Sequence, residues 1–157
     1  MTACAKWTIQ IDAQTEPPKA DTARLHAVVE TVLRRFRVRQ ATVIITLVGD
    51  EQMRLVHYQF LKKRSTTDVM SFDLTDEYES MRTFEVVVNA DMAARQGRKR
   101  KHSAEAELAL YITHGLLHQL GFDDLDGESA RRMHQTEDAI LKTLGYGAVY
   151  FDDDTRH

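Results

Sequence analysis

SAEAELALYITHGLLHQLGFDD, residues 103–124, decides how the rest of the chain is read. Ser103 is a good N-cap, and Glu105 and Glu107 fall in the first turn, where the helix dipole favours anions. Leu108, Leu110, Ile112, Leu116, Leu117 and Leu120 make a helix over 103–120 apolar around much of its circumference, so it is expected to be the central, most buried helix. Gly121 ends it by supplying a left-handed cap. His114 and His118 are four residues apart, and four residues advance about 400° around a helix. Both imidazoles therefore leave from nearly one face, one turn apart, at the spacing with which helices chelate zinc.

Two ligands do not complete a site. Gly121 lets the chain turn back, so Asp123 and Asp124 are the first candidates for the third position, with His134 more remote. A zinc peptidase of the H-E-x-x-H type needs a glutamate beside the first histidine as general base, and that position is Gly115. Peptidase chemistry is therefore not supported.

Outward from this helix, periodicity gives the order βαβαββααα. A strand over 6–12 places Trp7, Ile9 and Ile11 on one face. A loop stiffened by Pro17 and Pro18 follows, and Asp21 caps a helix to about Phe36 with Leu25, Val28, Val29, Val32, Leu33 and Phe36 inward. The β-branched run 41–48 is a strand, after which Asp50 is expected to cap a helix through about Phe60. Strands over 67–74 and 83–89 read as a hairpin with a long loop, and Asp91 as the cap of a helix towards Arg100. Asp126 caps the last helix, which ends at Gly145. The expectation is an α+β fold: a small mixed four-stranded sheet packed with about five helices, the metal site on the central helix.

The chain has 157 residues, 43% hydrophobic and 29% charged, which fits one domain over 1–157 with a flexible acidic tail at 150–157. One cysteine, Cys4, excludes an intrachain disulfide and suits a reducing, cytoplasmic setting. The first residues lack the apolar core of a signal peptide, and the apolar-rich run 41–48 is too short to span a bilayer, so no membrane role is expected. Net charge is −3, but cations cluster at 34–39, 62–64 and 98–101. Together they offer a phosphate-binding face; for any one cluster a solvated helix end is the simpler reading.

The stretch around the histidines resembles the YbeY family of bacterial rRNA-maturation endoribonucleases. That family carries H-G-x-L-H-x-x-G-x-D-H, matched by His114, Gly115, Leu117, His118, Gly121 and Asp123, with Asp124 in place of the final histidine. TTDVMSF (66–72) is similar to the family's P-T-D-V-L-S-F strand, VVVNADMA (86–93) to the segment before its metal helix, and EDAILKTLG (137–145) to its closing helix. The resemblance implies a single-strand-specific endoribonuclease with one Zn2+ per chain, acting in rRNA maturation at the small-subunit 3′ end and in ribosome quality control. RNA and the small ribosomal subunit are the implied partners. It makes His114, His118 and Asp124 the implied ligand set, and a carboxylate is a competent zinc ligand. Aspartate lowers the charge of the metal centre relative to a third histidine. The family's tyrosine–arginine pair before its strand motif reads Phe60 and Leu61; Lys62, Lys63 and Arg64 follow at once. Its Gly-Asp before the next strand reads Phe84 and Glu85. Lys62, Lys63, Arg64 and Glu85 are thus the catalytic candidates, and Lys62, Lys63, Arg64, Arg98 and Lys99 the RNA-binding ones. His57 is a further candidate base, for which a surface or capping role is the simpler reading; Thr67, Asp68 and Ser71 are read as strand-end residues beside the cleft. Two other classes stay open: a metal-stabilised ribosome- or RNA-binding factor that does not cut, and another metal-dependent hydrolase.

Overall fold

The computed structural model describes residues 5–14 and 20–147. The proline loop, Cys4 and the tail at 150–157 lie outside the described residues. Elements follow in the order β1 (Lys6–Ala13), α1 (Thr22–Arg35), β2 (Gln40–Val48), α2 (Asp50–Leu61), β3 (Val69–Asp73), β4 (Arg82–Asn89), α3 (Ala90–Arg100), α4 (Ala104–Gln119) and α5 (Gly127–Thr143). The four strands form one sheet in the order β1-β2-β4-β3. β1 pairs with β2 and β2 with β4 in parallel, each through a helical crossover, while β3 and β4 form the antiparallel pair expected of a hairpin. The α+β expectation is met.

Strand alternation gives the sheet two faces. Val43, Ile45, Leu47, Phe84, Val86 and Val88 point into a core shared with α1, α4 and α5. Val48 and Val87 point the other way, where Met53 of α2 covers them with Met70 and Phe72 alongside. Helix α4 is buried along most of its length, and Leu108, Ile112, Leu116 and Leu117 are wholly inaccessible. Each contributes about 1.5–3 kcal/mol by burial.

Gly115 is what lets α4 lie so close to the sheet. A Cβ there would stand 2.7 Å from Val86 Cγ1 and 3.2 Å from Val69 Cγ2. Gly115→Ala should therefore destabilise by about 1–3 kcal/mol in urea unfolding. A stabilisation, as for alanine in an open helix, would contradict this packing.

Two caps differ from expectation, those of α2 and α3. Ser103 and Asp126 cap as read, accepting from Ala106 N and Ser129 N. The N-cap of α2 is Gly49, and Asp50 is its first helical residue. The Asp50 carboxylate turns instead to Arg95 Nη2 (3.0 Å) and Asn89 Nδ2 (2.8 Å). Arg95, chiefly, holds its pKa down at about 2. Asn89, not Asp91, caps α3 through Met92 N; Asp91 accepts from Asp50 N. The signal that misleads is local: an aspartate after a break reads as a cap until tertiary partners claim its oxygens. His57 is not a surface residue. It is buried, with Nδ1 2.7 Å from the Ser65 carbonyl oxygen, and ties α2 to the return segment.

Candidate metal centre

Helix α4 ends in a tight reversal. Gly121 adopts φ +102°, its N–H donates to the His118 carbonyl and Phe122 N–H to that of Leu117. This double bond pattern closes the helix and sends the chain back past it. The reversal brings Asp124 to the two histidines: one ligand atom each of His114, His118 and Asp124 lie within 4.8 Å of one another.

The alternatives for the third position go elsewhere. Asp123 Oδ1 accepts from Leu125 N (3.2 Å), holding the loop. His134 Nδ1 turns to Glu137 Oε1 (2.9 Å).

Each histidine of the pair is oriented from behind. His114 Nδ1 is 2.5 Å from Glu137 Oε2, and His118 Nδ1 is 3.1 Å from the Phe122 carbonyl oxygen. Both partners are acceptors, so each Nδ1 carries a hydrogen in the neutral ring. Both Nε2 atoms then present lone pairs, and they face each other at 3.1 Å. Two lone pairs at that distance need a proton or a cation between them. An ion about 2.0–2.1 Å from two imidazole nitrogens in tetrahedral geometry sets them roughly 3.3 Å apart. The residues present fit a zinc ion.

Glu137 is the residue that sequence reasoning missed. It is wholly buried on α5 and serves His114 and His134 with its two oxygens. Burial raises its pKa, but the hydrogen bonds and charges of the two histidines outweigh burial and hold it below the ordinary value. Burial likewise opposes charge on His114; the hydrogen bond and charge of Glu137 reverse this, and its pKa lies above the ordinary imidazole value. A carboxylate behind a ligating imidazole fixes its tautomer and strengthens it as a donor. The signal was in the sequence: Glu137 sits on the apolar stripe of Met133, Ile140 and Leu141, where a solvated acid does not belong.

A cavity of about 160 Å³ borders His114 on this side, lined by Asp68, Gln96, Arg100, Tyr111 and His134 among others. Asp68 accepts from Val69 N and Thr67 Oγ1 at the start of β3, a strand-end role, whereas Ser71 stands in the middle of β3, paired with Val86, and its Oγ accepts from Gln119 Nε2 (2.9 Å).

The remaining candidates are spread out. Glu85 pairs with Phe72 across β3–β4, on the face of the sheet turned away from α4, and accepts from Thr46 Oγ1 (2.9 Å). The structure does not bring it to the histidines. Lys62, Lys63 and Arg64 are exposed just beyond α2; Lys62 and Arg64 lie over the Tyr58 ring. Arg98 and Lys99 are exposed in the last turn of α3.

A family model described as Endoribonuclease YbeY matches residues 10–145. An Endoribonuclease YbeY of Anaeromyxobacter sp. is 32% identical over 139 residues, covering 88% of this chain and 72% of that protein. One of Pseudomonas syringae pv. tomato is 30% identical over 152 residues, 94% of this chain and 91% of its own. The solution structure of TM1509 from Thermotoga maritima shares the fold, with a TM-score of 0.60 at 20% identity over 87% of this chain and 89% of that one. No helix among the described residues is long and apolar enough to cross a membrane.

Proposed function

The chain belongs to the YbeY family of endoribonucleases, and on that premise we propose that it cuts single-stranded RNA with one zinc ion per chain. The RNA is ribosomal, matured at the 3′ end of the small-subunit species and surveyed in ribosome quality control, in the cytoplasm. The observation that carries the metal is the pair of Nε2 lone pairs 3.1 Å apart, each ring held from behind by an acceptor.

His114, His118 and Asp124 would hold the ion. A bound zinc ion supplies Lewis acidity at the scissile phosphodiester. The chain's own groups do the rest. Glu137 and the Phe122 carbonyl keep the two imidazoles aimed at one point. Lys62, Lys63, Arg64, Arg98 and Lys99 offset backbone charge on a bound strand. The small subunit is the expected partner through its RNA.

The test is incubation of the purified protein with single-stranded and duplex RNA, with and without chelator. Cleavage of the single strand that stops with chelator and returns with zinc supports the reading. Salt-sensitive binding without cleavage would replace it by a non-cutting RNA-binding factor. Asp124→His should tighten zinc binding in chelator competition, since a neutral imidazole restores the ligand set to which the family is tuned; unchanged affinity would remove Asp124 from the ligand set.

A further inference from the structure

The basic run at 34–39 has no place in the metal centre, yet the fold builds part of it into a cleft of about 350 Å³. Arg37 and Arg39 come from the α1–β2 turn and Arg82 from the start of β4; Phe36, Val38, Gln40 and Ser80 complete the walls. Among the described residues no carboxylate lines it, and none of the three arginines has one at ion-pair distance. Three other arginines do have such a partner: Arg24 pairs with Glu105, Arg95 with Asp50 and Arg100 with Glu107. Asp73 is held below the ordinary carboxylate range first by hydrogen bonds from Thr75, and the charge of Arg82 adds the last and smallest share without an ion pair. Arg37 also holds φ +56° just past the cap of α1, where glycine or asparagine is usual.

The cleft adjoins the metal centre through two contacts. Arg82 Nη2 donates to the Gln119 carbonyl (3.1 Å), beside His118 at the end of α4. The Phe36 ring meets the Phe122 ring edge-on at 5.6 Å, and the Phe122 carbonyl is the group that orients His118. The loop that carries Asp124 therefore runs between the two features.

We propose that Arg37, Arg39 and Arg82 form a second subsite, which binds a backbone phosphodiester of the RNA strand whose reacting phosphate lies at the metal centre. The proposal rests on the RNA reading above and extends it. Guanidinium forks suit phosphate oxygens; Arg37 and Arg39 are exposed, Arg82 is half-buried against the Phe84 ring at 4.7 Å, and among the described residues none of the three forms an ion pair with a carboxylate. The strand would cross the loop 121–124 and be held on both sides of it.

The test compares the salt dependence of fluorescent single-stranded RNA binding for the zinc-loaded protein and an Arg37→Asn, Arg39→Gln variant. Asparagine tolerates the left-handed conformation, so the turn is kept; zinc content and thermal midpoint report that the variant is folded. Removing two phosphate contacts should lower the slope of log affinity against log salt by roughly 1.4. Arg34→Gln, Arg35→Gln removes the same charge from the same run outside the cleft and should leave the slope unaltered. An unaltered slope in the cleft variant, or an equal fall in both, overturns the subsite while the nuclease reading stands. A wild-type protein that does not bind RNA at all overturns both. Displacement of the RNA by micromolar inorganic phosphate would assign the cleft to the free anion. An acidic peptide that binds the wild type more tightly than RNA, and fails on the variant, would assign it to a protein; either result overturns the proposal.

Discussion

His118→Ala is expected to leave the protein folded and unable to retain zinc. His118 is half-buried near the end of α4, where its ring meets that of His114 edge-on at 4.6 Å and its Nδ1 lies 3.1 Å from the Phe122 carbonyl oxygen. Its loss removes one of the two opposed lone pairs and leaves a lone imidazole with an exposed carboxylate. The fall in zinc affinity should exceed the roughly 10–100-fold that follows loss of an outer partner, and RNA cleavage should fall with it. Chelator competition against the wild type measures the first. Unchanged zinc content in the variant would show that the ion, if any, lies elsewhere.

Glu137 carries the second large effect. Glu137→Ala leaves His114 and His134 with Nδ1 donors turned to a vacated buried site, and breaking a buried charged pair in this way costs about 3–5 kcal/mol. Glu137→Gln separates orientation from charge, because its amide oxygen can still accept from His114 Nδ1. In the metal-free protein the raised His114 pKa stabilises below the ordinary imidazole value and is lost as pH rises through the folded value. The depressed Glu137 pKa stabilises above the ordinary carboxylate value and is lost as pH falls through the folded one. The stability lost in Glu137→Gln should thus be greatest in mildly acidic solution, above the ordinary carboxylate and below the ordinary imidazole value, and shrink towards alkaline pH. Thermal unfolding of both metal-free proteins across pH measures this. A difference that grows with pH would contradict the pairing.

What the sequence shows and what it hides divide along the range of the interactions. Helix α4 was legible because apolar periodicity, the Ser103 cap and Gly121 are all local signals, and they place His114 and His118 on one face without tertiary knowledge. The hairpin of β3 and β4 was legible for the same reason. The caps at Asp50 and Asp91 misread because their oxygens are claimed across 39 to 45 residues of chain by Asn89 and Arg95, or by Asp50 itself across 41. Glu85 looked like a site residue on motif position alone; strand alternation turns it to the far face, and only the pairing of β4 within the sheet reveals which face that is. Gly115 was read for the side chain it lacks as a base, whereas the structure shows a packing reason for it in Val86 and Val69.

X-ray absorption at the zinc edge is the direct test of the paired lone pairs. After dialysis with zinc and removal of the excess, the protein should hold one ion per chain. Its spectrum should show two imidazole nitrogens and a carboxylate oxygen at about 2.0–2.2 Å. No retained zinc, or an ion whose shell contains no imidazole, would contradict the centre built on His114, His118 and Asp124.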